Sequence, residues 1–459
     1  MKNLLIPRRR DCIHAGNLLA LTISVMVSSA VCAQTGLRSK PRSDIARAIS
    51  PAPSFQPRPP GSGEPRPVGS GDLRRYEEEA RNVSIVRDKW GIPHIYGKTD
   101  ADAVFGLLYA ECETDFSRVE KNYLEMLGQQ AEAYGEAYLY TDVMMRLIYD
   151  SAAAVADYQR SPAWMHRLLD AFADGINYYL YTHPATRPLV LQHFEPWYAL
   201  MFTDGSVSAT STGGIRQEEI KNFYGKEHPV AVRSPQRLAG ADGLAQIDGA
   251  QRENRPHELS VPGMSVPEID ELPETGSNGF AIAASRSASG SPMLYINPHV
   301  PFYFRMETQI VSEEGLNAYG AVTWGQFFIY QGFNAHCGWM HTSSSADVAD
   351  LYEEKMAAKD GAWAYEYEGQ LKSVKSRPYI IRYKKDDATG SFPFTGYFTH
   401  HGPVMGDRNG KWLSLRENNR SLDALLEAWL ITKANTFGEY KKAMDLRGNT
   451  TNNTVYADD

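Results

Sequence analysis

The sequence predicts an α+β fold in which antiparallel sheets pack against helices. Three observations carry that expectation. Amphipathic stretches gather in the first half, with Phe116, Val119, Tyr123 and Leu127 spaced to share one helical face. Short apolar runs at residues 302–311, 318–322 and 327–330 have strand length and are flanked by turn residues. Between the halves, a polar stretch with two prolines and four carboxylates (265–275) gives way at Gly276-Ser277-Asn278 to strand-like sequence. Phe280-Ala281-Ile282-Ala283-Ala284, a turn at Ser289-Gly290-Ser291 and Met293-Leu294-Tyr295-Ile296 then read as a buried β-hairpin.

The N-terminus is built for export. Lys2 and Arg8-Arg9-Arg10 precede an apolar core over residues 18–27 and the small-residue site Ala30-Val31-Cys32-Ala33, the pattern of a secretory signal peptide cut after Ala33. The apolar run is too short for a permanent membrane span, and no other stretch approaches the necessary length. Residues 34–75 hold eight prolines between Pro41 and Pro67 and read as a disordered spacer, with order beginning near Tyr76. Residues 1–75 carry 12 Lys or Arg against 4 Asp or Glu, so the net −8 of the chain conceals −16 over residues 76–459. An acidic body excludes nucleic acid as the partner. At 459 residues the chain has room for two or more domains. Beyond the signal only Cys112 and Cys337 remain, too few for a disulfide framework or a Cys-based zinc site. Both read as small buried residues, although a single bridge between them is open to an exported protein.

Order begins with short strands at residues 83–86 and 92–96 around the turn Asp88-Lys89-Trp90-Gly91. Thr99 is placed to cap a helix over residues 101–110, with Asp102 in its first turn, and a second helix follows around Phe116. Ser161-Pro162 starts a further helix through Ala171 to Asn177. Ser, Thr and Gly dominate residues 203–214, and residues 227–276 lack any period. After the hairpin, Gly332-Phe333-Asn334-Ala335 makes a turn that leads into Cys337-Gly338-Trp339-Met340-His341-Thr342. His400-His401-Gly402-Pro403 reads as strand and turn, since no further His, Cys or Glu stands at zinc-ligand spacing.

The abrupt change at Gly276-Ser277 has a chemical reading. If the chain is cut before Ser277, that residue gains a free α-amine of pKa about 7.7–8.0, partly unprotonated near neutrality. The nucleophile then carries its own base and needs no separate His-Asp pair. On the tripeptide alone, the first reading of Gly-Ser-Asn is an ordinary turn before a strand.

The surroundings decide between these. Ser277-Asn278-Gly279-Phe280, with Asn297-Pro298-His299 closing the hairpin, resembles the start of the catalytic chain of the penicillin acylase family. That family includes acyl-homoserine-lactone and cephalosporin acylases, N-terminal nucleophile hydrolases that cut themselves at a Gly-Ser bond. The resemblance extends from about residue 83 to the end, through Arg87-Asp88, Gly91-Ile92-Pro93-His94-Ile95, Asp102-Ala103 with Gly106, and Ala171 to Asn177. It departs at Glu111-Cys112-Glu113-Thr114-Asp115-Phe116, which marks a divergent subgroup.

The resemblance implies a four-layer αββα sandwich and a heterodimer of two chains from one precursor. Residues 76–226 would form a helical smaller chain, 227–276 an excised spacer, and 277–459 the first part of the catalytic chain. Residues 202–220 would line an acyl pocket. The chemistry implied is hydrolysis of an N-acyl amide (an acyl-homoserine lactone, a β-lactam or an acylated peptide) through an acyl-Ser277 intermediate, without a cofactor. The oxyanion donors would be the backbone N–H of Ser343 and the side-chain amide of Asn453, with His299 tuning the α-amine. Asp347, Asp350 and the carbonyl of Ala349, with Glu219 from the smaller chain, match positions that hold a structural Ca²⁺ in penicillin acylases. Asn453-Thr454-Val455-Tyr456-Ala457-Asp458 matches a segment well inside the catalytic chain, so a further expectation is that the chain stops early. Two alternatives remain open at this point: a non-catalytic relic or binding module of the same fold, and a serine hydrolase using His299 as base.

Overall fold

A computed structural model describes residues 68–201, 213–228 and 276–459, apart from 302, 345, 387, 418–421 and 450–451. The expected signal peptide, the Pro-rich stretch to residue 67, residues 202–212 of the expected pocket and residues 229–275 of the expected spacer lie outside the described residues. Helix α1 (Ser70–Ala80) begins ahead of the expected onset at Tyr76, because Tyr76 is fully buried in the helical core and carries its own turns with it. Strands β1 (Val83–Arg87) and β2 (Pro93–Gly97) form the expected hairpin. One carboxylate oxygen of Asp88 accepts from the N–H groups of Trp90 and Ile92, and Gly91 takes the positive φ (+82°) that the turn requires.

Thr99 caps α2 (Asp100–Met126) reciprocally with Asp102, each side chain accepting from the other residue's N–H. The two expected helices meet end to end within α2 at a kink at Asp115 (φ −160°, ψ 83°), whose carboxylate accepts from Arg118 N–H and so caps the second. Helices α3 (Gln130–Tyr134) and α4 (Leu139–Ile148) are linked by buried Asp142, which accepts from the N–H groups of Gln130 and Ala131. Helix α5 (Ser151–Arg160) is capped by Asp150. Helix α6 (Ala163–Thr182) follows with Pro162 at its cap, so Ser161 closes α5 and does not open α6 as expected. Helix α7 (Gln217–Tyr224) ends the described part of the first half.

In the second half, β3 (Ser277–Ile282) and β4 (Met293–Pro298) make the central hairpin. It is not buried as expected: Phe280 is 59% and Tyr295 51% exposed, because among the described residues one face of this two-stranded sheet rests on β8 and β17 and the other is left uncovered. Strands β5 (Arg305–Ser312), β6 (Asn317–Thr323), β7 (Gln331–Asn334) and β8 (Cys337–Ser343) follow. The expected strand at 327–330 is a buried loop ahead of β7. Its apolar side chains are satisfied by helices, with Phe327 packed against Phe172 of α6 and Trp429. Next come β9 (Ala349–Glu354), β10 (Met356–Lys359), β11 (Ala362–Tyr367), β12 (Gln370–Ser373), β13 (Lys375–Lys385), β14 (Ala388–Phe398), β15 (Val404–Arg408) and β16 (Lys411–Glu417). Helices α8 (Leu422–Lys433) and α9 (Phe437–Met444) lead to β17 (Asn452–Asp458).

These elements give the α+β class. A seven-stranded sheet runs β1-β2-β5-β6-β7-β8-β17, antiparallel except for the β2–β5 pair. One face packs on helices through Ile310, Val322 and Trp339 against Leu107, Leu169 and Trp429, and the other carries the β3–β4 hairpin. Of the four expected layers, the described residues thus supply helices, a large sheet and the beginning of a second sheet. A separate apolar core forms where α4 and α7 meet β13 to β16. Cys112 and Cys337 are buried and free. No helix among the described residues is long and apolar enough to cross a membrane.

Candidate active site

Alternation along β8 sends Trp339 into the helical core and leaves Gly338, Met340 and Thr342 on the hairpin face. Two glycines let the layers close. A Cβ on Gly279 of β3 would lie inside 3.0 Å of the Met340 side chain and 3.2 Å from Val455 of β17. A Cβ on Gly338 would stand 3.0 Å from Leu294 of β4. With the backbones this close, Ser277 at the head of β3 reaches Thr342, whose hydroxyl donates to the Ser277 carbonyl at 2.9 Å.

The neighbours follow from register. Ser277 pairs with Pro298 and Asn278 with Asn297, which puts His299 just past the end of β4, beside the nucleophile's strand. The His299 ring Nε2 lies 3.1 Å from the Asn278 amide nitrogen. On β17, Asn453 stands directly opposite Thr342, and its amide donates to the Ser343 carbonyl over a long 3.4 Å. Ser277, His299, Ser343 and Asn453 are therefore drawn to one end of the hairpin. The Ser277 hydroxyl donates to the Gly276 carbonyl at 2.6 Å. Gly276 has φ +148°, a conformation a side chain would strain. The hydroxyl thus lies beside the peptide that precedes it, at a position whose backbone favours glycine.

Thr342 and Asn278 were absent from the expected site. The signal for Thr342 was available, since it lies two and four residues after Met340 and Gly338 on the same face of β8. Asn278 needed the pairing register, which the sequence alone does not supply.

The metal expectation does not fit. Both Glu219 oxygens are engaged: Oε1 accepts from Arg408 Nε at 2.6 Å, and Oε2 from Arg408 Nη2 at 3.2 Å and Arg216 N–H at 2.9 Å. Asp347 and Asp350 are exposed, and Asp350 alternates along β9 with Leu351, the residue that meets Gly213 ahead of α7. Its side chain thus points to the other face of the sheet. Among the described residues, no group of three or more His, Cys, Asp or Glu is gathered for a metal ion.

Behind the site, on the helical face, Glu427 of α8 is buried, and one of its oxygens accepts from Gly448 N–H at 2.6 Å. Burial pushes its carboxyl up to about 7, although the N–H groups of Gly448 and Asn449 pull it down. His341 of β8 lies nearby, with Nδ1 2.9 Å from the Thr454 hydroxyl and 3.2 Å from the Asn449 amide nitrogen. Asn449 in turn accepts from the Asn452 amide, so a polar chain braces the entry to β17.

This geometry can be set beside known proteins. Acyl-homoserine lactone acylase QuiP of Pseudomonas fluorescens is 27% identical over 417 residues, covering 83% of this chain and 49% of that protein. Acyl-homoserine lactone acylase PvdQ of Pseudomonas fluorescens is 25% identical over 406 residues, covering 82% and 49%. The chain spans about half the length of these curated relatives. A solved structure of thermostable penicillin G acylase from Alcaligenes faecalis matches at 19% identity and a TM-score of 0.34, over 40% of this chain and 33% of that one. The penicillin amidase family model matches residues 82–459 without leaving out the hairpin, β8 or β17, and the chain belongs to that family.

Proposed function

We propose that this protein is an acylase that hydrolyses the amide bond of an N-acyl compound through Ser277, after breaking its own Gly276–Ser277 peptide. The observation that carries the reading is the Ser277 hydroxyl held against the Gly276 carbonyl at the head of a strand anchored on Thr342. In maturation the hydroxyl oxygen attacks the Gly276 carbonyl carbon, the peptide nitrogen leaves as the α-amine of Ser277, and water hydrolyses the resulting ester. In turnover the α-amine takes the hydroxyl proton as the oxygen attacks the substrate carbonyl, and the protonated amine passes it to the departing nitrogen. Water then releases the acid. The N–H of Ser343 and the amide of Asn453 are the proposed oxyanion donors, with His299 holding Asn278 beside the nucleophile.

The substrate class follows the relatives, two of which are named acyl-homoserine lactone acylases. Export through the first 33 residues and a two-chain product belong to the same reading. The test is intact-mass analysis beside an acyl-homoserine lactone assay. We expect two chains, the larger beginning at Ser277, while Ser277→Ala stays a single uncut chain with no turnover. An uncut wild-type protein that still hydrolyses the substrate sinks the reading and returns His299 as the base.

A further inference from the structure

We infer that the guanidinium of Arg408 takes the place of a divalent cation between the two halves of this chain, so that they are joined without metal. The donor arithmetic points there first. Arg408, at the end of β15, grips both oxygens of Glu219 on α7, and its Nη2 also donates at 3.0 Å to the Gly214 carbonyl. One planar cation thus satisfies two carboxylate oxygens and a backbone carbonyl, the oxygen donors a hard metal ion would draw on. A compact ammonium could not span all three, so the choice of arginine matters.

Position supports the same conclusion. Glu219 is only 11% exposed at its side chain, and its Cβ lies against Gly406, two residues before Arg408 on β15. Around it, Ile220, Phe223 and Tyr224 of α7 are buried against β15 and β16, and the Tyr224 hydroxyl donates to the Val404 carbonyl at 2.5 Å. The clamp therefore sits on an apolar seam between the first and second halves of the sequence. Burial, the largest influence, would raise the Glu219 carboxyl, yet the Arg408 guanidinium together with the N–H and charge of Arg216 holds the group below its usual range. Screening at the half-exposed arginine limits what the pair adds to overall stability, so its main effect is to fix where α7 lies.

The test uses the purified protein and readouts independent of catalysis. Thermal unfolding should be unchanged by excess EDTA or by added calcium. Arg408→Met should lower the Tm by roughly 2 °C, and Glu219→Gln should do the same. In both variants limited proteolysis within residues 213–228 should speed up several-fold. Arg408→Lys should recover part of that protection, since one point charge replaces a fork. A Tm that falls with EDTA in the wild type overturns the inference. So does calorimetric calcium binding that Glu219→Gln abolishes, or an Arg408→Met protein whose Tm and proteolysis match the wild type.

Discussion

The two faces of the seven-stranded sheet are held in different ways. On the helical face, Trp339, Trp429 and Phe327 are buried and touch through large apolar areas. On the hairpin face, contact depends on absent side chains: Gly279 sits over Met340, Gly338 under Leu294, and Thr342 holds the Ser277 carbonyl. Burial of the first kind supplies stability at about 25 cal/mol per Å². Close backbone approach of the second kind supplies little area but fixes a position. In this molecule, stability and placement are assigned to opposite faces of one sheet.

A pair of glycine substitutions can break that comparison. Gly279→Val should push the hairpin off β8 and cut turnover by about 100-fold, the usual consequence of misplacing a reactive group by an ångström, while far-ultraviolet circular dichroism stays unchanged. Gly175→Ala on α6 meets the Phe105 carbonyl of α2 inside 3.0 Å, a backbone atom that cannot turn aside. It should cost about 1–3 kcal/mol of stability by overpacking and leave kcat nearly intact. If both variants lose stability and activity in the same proportion, the two faces are not separable.

A pH titration sharpens the helical side. Glu427 has a folded-state pKa of about 7, above the value it takes unfolded. As pH rises from the unfolded pKa toward 7, the unfolded chain releases its proton first, so stability falls across that window and levels off above it. The loss is at most about 3 kcal/mol. Buried Asp142 (about 7) and half-buried Glu79 (about 8) act with the same sign. Glu427→Gln should flatten part of the slope in Tm against pH and raise the Tm at pH 8, relative to wild type.

The smallest expected effect lies on the hairpin's outer surface. Phe280 and Tyr295 pack at a tilt of 40° with ring centroids 5.6 Å apart but remain half exposed. Replacing both by serine should change stability by no more than about 0.5 kcal/mol, yet reduce binding of a hydrophobic dye and self-association. A large stability loss would mean that this surface is packed in solution.

Ser277 and His299 were singled out by the resemblance, whereas the β3–β4 hairpin was legible because turn residues and alternating apolar residues act locally. The Thr99 cap and the two helical stretches around Asp115 were legible for the same reason. What failed depended on long-range neighbours. Residues 327–330 have the composition of a strand, but Phe172 and Trp429 bury them as a loop. The expected burial of the hairpin failed because alternation shows which side chains share a face, not whether anything covers it. Glu219 was named as a metal ligand by the resemblance, and its pairing with Arg408, 189 positions away, has no local signal in the sequence.

The Thr342 bond has a consequence for what a break at Gly276–Ser277 would change. Thr342 donates to the carbonyl of Ser277, on the downstream side of that peptide, and the pairing with Pro298 and the seat of Gly279 are downstream as well. Nothing in that set of anchors belongs to the residues ahead of Ser277. The product strand would inherit its coordinates from the precursor intact. Maturation would then be a release, with no refolding step to slow it, and its rate would not depend on dilution.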